Sequence, residues 1–116
     1  MNIGDDFLIV CRQNYFDKVT PANKESKLKP GYKKLVNIAD EYFKQNSYEK
    51  FAGFFQEGQY LIALWAAHLM LEYGTPSHEM MIAALNIIRA YSDNPLAPDV
   101  AQEERHWLDA YSDKHK

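Results

Sequence analysis

The stretch that decides the fold is residues 59–73, QYLIALWAAHLMLEY. It is apolar nearly all the way round a helical projection, which predicts a helix that is buried on most of its sides. An apolar run of this length is longer than a typical strand, and its alanines favour a helix. We therefore expect a helix over residues 59–73, closed by Gly74, at the centre of the molecule.

The segments before this helix also predict helices. Apolar residues at helical spacing predict a first helix that starts after Asp5 or Asp6 and fades near Val19 and Thr20, before Pro21. Residues 21–31 are rich in lysine and proline and predict an exposed loop. An amphipathic stripe predicts a helix over 32–44, and a short helix over 47–56 is expected to end at Gly58 in left-handed backbone.

Two further helices are expected after the central one. Thr75 and Pro76 predict a capped helix start, with the proline in the first helical position, and this helix should reach Tyr91. A last helix should begin near Pro98 and reach Tyr111, with Trp107 as its anchor in the core.

These segments predict one all-α domain over residues 1–116. The expected architecture is a compact five-helix bundle or a short HEAT-like stack of helical hairpins. No fixed-period repeat is evident, which disfavours the stack without excluding it. A chain of 116 residues buries about two-thirds of its unfolded surface, so one core can suffice without a metal or a disulfide.

The charge is unevenly distributed along the chain. The net charge is −3, but residues 51–116 carry nine Asp and Glu against four Lys and Arg. This acidic half disfavours nucleic-acid binding and suits a basic protein partner. The acidic N-terminus does not look like a signal peptide, and no apolar run reaches the ~20 residues of a membrane span. We expect a cytoplasmic protein with no membrane contact.

No residue pattern carries a complete catalytic or metal-binding signature. His68 and Glu72 are four residues apart and can share a helix face, but two ligands do not make a metal site, and a core histidine with a hydrogen bond is favoured. Glu103 and His106 supply one Glu-x-x-His step where a di-iron bundle needs two. Cys11 lies on an apolar face without an activating group, as a packed core thiol would. We expect no enzyme activity and no cofactor.

Three segments carry a resemblance to a known class of protein. They are FFQEGQYLIALWAAH at 54–68, NPLAP at 94–98 and AQEERHWL at 101–108. With these segments the chain resembles the small helical immunity proteins of bacterial toxin–immunity systems, including those of contact-dependent growth inhibition. The resemblance covers about half of the chain and rests on apolar and turn residues.

The resemblance implies a binding protein that neutralises a cognate toxin domain by occluding it. Such toxins are often nucleases, whose active faces are basic, so acidic residues of the inhibitor would match them. The expected partner-binding residues are Glu72, Glu79, Asp93, Asp99, Glu103 and Glu104. The alternative is a helical adaptor or scaffold domain whose apolar groove takes a peptide or a partner helix.

Overall fold

Six α-helices follow one another along residues 2–115, the part of the chain that the computed structural model describes. They are α1 (Ile3–Phe16), α2 (Pro30–Lys44), α3 (Tyr48–Ala52), α4 (Ile62–Tyr73), α5 (His78–Ser92) and α6 (Pro98–Lys114), with short 3-10 helices at Lys24–Leu28 and Gly53–Gln56. The prediction of an all-α fold is confirmed. The α-helices number six, one more than in the expected five-helix bundle, because each of the six segments predicted to be helical, including the short one after Ser47, forms a separate helix.

Helix α4 is the centre of the core. Every residue from Ile62 to Met70 is buried, so neighbours must surround it, as the apolar run predicts. Trp65, Leu69 and Met70 belong to one apolar cluster with α1, α2 and α3. Leu64 and Ala67 face the other way and pack with Ala84 and Ile88 of α5. The helix thus separates two layers of the fold.

The central helix begins three residues later than expected. Tyr60 and Leu61 adopt left-handed backbone, with φ of 52° and 58°, and a left-handed residue cannot continue into a right-handed helix. The prediction that Gly58 is the left-handed residue is wrong, because no glycine among residues 2–115 has a positive φ. The turn before α4 is therefore made by two non-glycine residues.

Two other predicted caps are corrected. Asn2, and neither Asp5 nor Asp6, caps α1 by accepting a hydrogen bond from Gly4 N at 2.7 Å. Ser77 caps α5 in place of Thr75, by accepting from Met80 N at 3.3 Å. Thr75 instead lies against Tyr48 of α3: its N donates to the Tyr48 hydroxyl at 2.8 Å, and its Oγ1 lies 3.2 Å from the same oxygen.

Helix α6 is the least apolar of the long helices and packs mainly on α5. It extends to Lys114, three residues beyond the predicted end. The described chain forms a compact globule with a radius of gyration of 13.2 Å, close to the value of about 13 Å expected for a domain of this length. Within residues 2–115, no helix combines the length and apolar character needed to cross a bilayer.

Candidate functional site

His68 of α4 lies at the centre of a buried polar cluster. Its Nε2 lies 2.6 Å from Glu104 Oε1 and its Nδ1 lies 3.1 Å from Glu72 Oε2. We call these three side chains the histidine cluster. Glu72 is reached by the helical i, i+4 spacing, whereas Glu104 comes from α6. The prediction of a hydrogen-bonded core histidine is confirmed.

The two contacts of His68 fix the protonation of the histidine cluster. Each close N···O pair needs one hydrogen, so the cluster shares two protons and carries a net charge of −1. Burial disfavours the imidazolium, but the hydrogen bonds from Glu104 and Glu72 and their charges outweigh it and raise the pKa of His68 above its usual 6.5. The charged form of His68 therefore persists to a higher pH than that of an unperturbed histidine.

Glu104 is fully buried, with 0% exposure, and only its Oε1 is hydrogen-bonded. Its Oε2 has no hydrogen-bond partner among the described residues. The ring of Trp107, one turn further along α6, meets His68 edge-on with centroids 4.6 Å apart. The Glu104 carboxylate and the Trp107 ring thus join α6 to α4, and Val100 and Leu108 pack on the same side of the core.

The neighbouring residue Glu103 joins α6 to a different part of the chain. Thr20 Oγ1 donates to Glu103 Oε1 at 2.7 Å and Asn23 Nδ2 donates to its Oε2 at 3.0 Å. Two consecutive carboxylates thus fasten α6 on two sides, one to the core helix and one to the connection between α1 and α2. Both attachments are polar, and they add to the apolar packing of Val100, Trp107 and Leu108 on the core.

A groove of about 920 Å³ lies between the 21–27 segment and α6. We call it the α6 groove; its lining includes Lys24, Lys27, Glu72, Glu103, Trp107 and Tyr111. The rings of Trp107 and Tyr111 stack with centroids 5.0 Å apart. This volume is in the range of ligand-binding clefts. Because Glu72 belongs to both the groove and the histidine cluster, the groove is electrostatically coupled to the core.

The six predicted partner-binding acids fall into two sets. Glu79, Asp93 and Asp99 are exposed and form no ion pair within residues 2–115. Asp93 and Asp99 flank the α5–α6 turn, while Glu79 lies at the other end of α5, roughly 20 Å away at 1.5 Å per helical residue. These three remain predictions for a partner surface, and they form two patches instead of one.

The other three acids have partners within the chain. The surface role predicted for Glu104 is corrected, because a side chain with 0% exposure cannot contact a partner. Glu72 and Glu103 are partly buried and line the α6 groove. Sequence reasoning singled out all three acids but could not join Glu104 to His68, since no local spacing connects residues on different helices.

The remaining chemical candidates from the sequence are Cys11 and His106. Cys11 is fully buried, and burial raises the pKa of its thiol, so the prediction of a packed core thiol is confirmed. His106 is exposed and lies beside Glu103 along the α6 groove. In the described range, no three His, Cys, Asp or Glu side chains are grouped so that they could hold a metal ion.

An exposed aromatic patch on α1 was missed from the sequence. Tyr15 and Phe16 are 48% and 65% exposed, and their rings lie 5.6 and 5.9 Å from the ring of Tyr60. The guanidinium of Arg12 lies 5.7 Å from the same ring. The left-handed backbone at Tyr60 brings this ring to α1, and no sequence pattern signals such a turn.

Comparisons with protein-family models, curated proteins and solved structures find no match for the chain. The functional proposal therefore depends on the geometry and charge of the molecule itself.

Proposed function

We propose that the chain is an immunity-type inhibitor, a cytoplasmic binding protein that neutralises a cognate bacterial toxin domain by covering a basic active face. The observation that carries the proposal is the set of exposed carboxylates Glu79, Asp93 and Asp99 on the α5–α6 layer, which form no ion pair with any residue from 2 to 115. Residues 78–114 hold seven Asp and Glu against three Lys and Arg. The resemblance of three segments to immunity proteins supports the same class.

An acidic layer of this kind favours a basic partner for physical reasons. Complementary potentials accelerate encounter and disfavour wrong partners, because like charges repel at the interface. A nuclease domain is such a partner, since its active face must attract phosphates. The proposal requires no reactive group on this chain, which fits a histidine cluster with no nucleophile in its described contacts.

The test uses a candidate toxin domain from a neighbouring gene and measures affinity by calorimetric titration and association rate by stopped-flow mixing, at low and at high salt. We expect binding that weakens as salt rises. The triple variant Glu79→Gln, Asp93→Asn, Asp99→Asn should associate at least about tenfold more slowly, because steering depends on these charges. The matched control Asp17→Asn, Glu41→Gln, Glu49→Gln removes three exposed charges elsewhere and should bind nearly as the wild type does.

Absence of binding at low salt would overturn the proposal. Equal slowing by the two triple variants would also count against it, because only net charge would then matter.

The second candidate is an adaptor domain that holds a peptide or a partner helix. The α6 groove and the exposed rings of Tyr15 and Phe16 favour it, since aromatic residues anchor protein interfaces. For an adaptor, binding should survive charge reversal at Glu79, Asp93 and Asp99 and fail when the exposed aromatics are removed. The immunity proposal predicts the opposite order of effects.

A further inference from the structure

Helix α1 exposes more large apolar side chains than any other helix within residues 2–115. Of the eight that are exposed in this range, four belong to α1: Ile3, Ile9, Tyr15 and Phe16. No other helix carries more than one. Apolar side chains that stay open to water in a group mark an interaction surface. The outer face of α1 is therefore a candidate docking surface.

The outer face of α1 carries charged and apolar residues in a regular order. Asp5, Ile9, Arg12 and Phe16 are all exposed, and their positions in the sequence place them along one side of the helix. We call these four residues the α1 stripe. Neither Asp5 nor Arg12 forms an ion pair with any residue from 2 to 115. They cannot pair with each other, because seven helical residues separate them by about 10.5 Å along the axis.

The ring of Tyr60 holds the cation of the α1 stripe in place. The Arg12 guanidinium lies 5.7 Å from the centroid of this ring, within the range of a cation–π contact. The ring reaches α1 through the left-handed backbone of Tyr60 and Leu61, which is strained for residues with a side chain. Strain of this kind is concentrated at functional sites. The strained turn thus positions a charge that has no ionic partner in the described chain.

We propose that the α1 stripe is the interface of a homodimer, in which α1 packs antiparallel against α1 of a second copy. A two-fold axis beside Ile9 places Asp5 of each copy opposite Arg12 of the other, so that two ion pairs form at once. The two Ile9 side chains meet at the axis, and each Phe16 ring lies over the first turn of the other helix. A parallel pair in register would instead place like charges opposite each other, which is unfavourable. The order of charges along the stripe therefore selects a second copy in the antiparallel direction.

A dimer formed through α1 leaves the acidic layer of each copy accessible. Helix α1 packs with α2 and α3 on one side of α4, whereas α5 packs on the other side. The dimer is therefore independent of the proposed function. One face of a 14-residue helix is small for an interface. It buries less than the ~800 Å² per partner of a standard complex, so we expect a weak dimer with a Kd of about 10–100 µM.

The experiment is sedimentation velocity of the full chain, at concentrations from about tenfold below to about tenfold above this Kd. We expect the average mass to rise from one chain towards two. Arg12→Glu and Asp5→Arg should each weaken self-association at least about tenfold, because each places like charges opposite each other in both ion pairs. The matched controls Arg89→Glu and Asp109→Arg reverse exposed charges on α5 and α6 and should associate as the wild type does.

A mixture of the two stripe variants tests the antiparallel pairing itself. In a mixed dimer of Arg12→Glu with Asp5→Arg, opposite charges face each other again at both ion pairs. The mixture should therefore recover the association that each variant has lost. Ile9→Ser removes the apolar contact at the axis without changing the charge, and it should weaken association at least about threefold. A thermal melt of each variant shows that it is folded.

Three results would overturn the proposal. The first is a wild-type chain that remains a monomer at every concentration, which would leave the face to a different protein. The second is a folded Arg12→Glu or Ile9→Ser variant that associates as strongly as the wild type, since the copies would then meet through another surface. The third is a mixture of Arg12→Glu with Asp5→Arg that associates no better than its components.

Discussion

Replacement of Glu104 by alanine should be the most destabilising loss of a charged side chain in this protein. The substitution removes the 2.6 Å partner of His68 and leaves a buried N–H without an acceptor. Removal of one member of a buried ion pair typically costs about 3–5 kcal/mol. We expect about 3 kcal/mol, the lower end, because Glu72 remains as a counter-ion for the imidazolium.

This loss is large relative to the whole stability of the fold. A single domain of this size unfolds with about 5–15 kcal/mol, and each kcal/mol corresponds to about 4 °C of melting temperature. We therefore expect the midpoint to fall by roughly 12 °C. Glu104→Gln, which keeps an acceptor but not the charge, should lose only about 1–1.5 kcal/mol.

Urea denaturation followed by circular dichroism measures these differences. The control is Asp109→Ala, which removes an exposed carboxylate from the same helix and should change the free energy of unfolding by no more than about 0.5 kcal/mol. If Glu104→Ala costs less than about 1 kcal/mol, the buried charge is not what fastens α6 to α4, and the account of the histidine cluster is refuted.

Three other predictions concern the histidine cluster and two glycines. Because the pKa of His68 is raised in the folded chain, the stability that its charge contributes is complete below about pH 6.5 and is lost as pH rises through the raised value. The wild type should therefore lose more stability in mild alkali than His68→Gln does. Urea denaturation at several pH values measures both losses, and equal losses would contradict the prediction. The double variant His68→Leu, Glu104→Leu should be more stable than either single variant, because apolar groups can replace a whole buried ion pair but not one member of it. A double-mutant cycle measures the coupling energy between the two residues, and strictly additive effects on the free energy of unfolding would contradict the prediction. Gly31→Ala should destabilise the fold, because the added Cβ would overlap the side-chain oxygen of Asn14. Gly53→Ala should instead stabilise it by about 0.5–1 kcal/mol, because Gly53 has helical backbone and its added Cβ would meet nothing within 4 Å. Melting temperatures that change in the same direction for both variants would contradict this contrast.

The fold could be predicted as far as local patterns extend. The apolar run over 59–73 indicated a surrounded helix, and burial from Ile62 to Met70 confirms it. The left-handed turn at Tyr60 and Leu61 could not be foreseen, because neither residue type favours that backbone and Gly58 offered the conventional alternative. Likewise, Thr75 contacts Tyr48 of α3 instead of capping α5, and local sequence does not predict a contact between residues 27 positions apart.

The candidate site was likewise predictable only where its contacts are local in sequence. The pairing of His68 with Glu72 follows from helical spacing and was available from the sequence. The contact of His68 with Glu104 spans 36 positions and depends on how α6 packs, which periodicity does not encode. Glu103 and Glu104 are adjacent and chemically identical, yet one lines a groove and the other is in the core. Their environments differ because neighbouring residues of a helix point in different directions, and the rotation of α6 about its axis decides which of the two faces the core.

The most direct test of the proposed function is the survival of cells that produce a candidate toxin domain from a neighbouring gene. Co-production of the wild-type chain should restore growth. The triple variant Glu79→Gln, Asp93→Asn, Asp99→Asn should protect less well at equal abundance, whereas Asp17→Asn, Glu41→Gln, Glu49→Gln should protect fully. Failure of the wild-type chain to restore growth, although it is folded and abundant, would contradict the account.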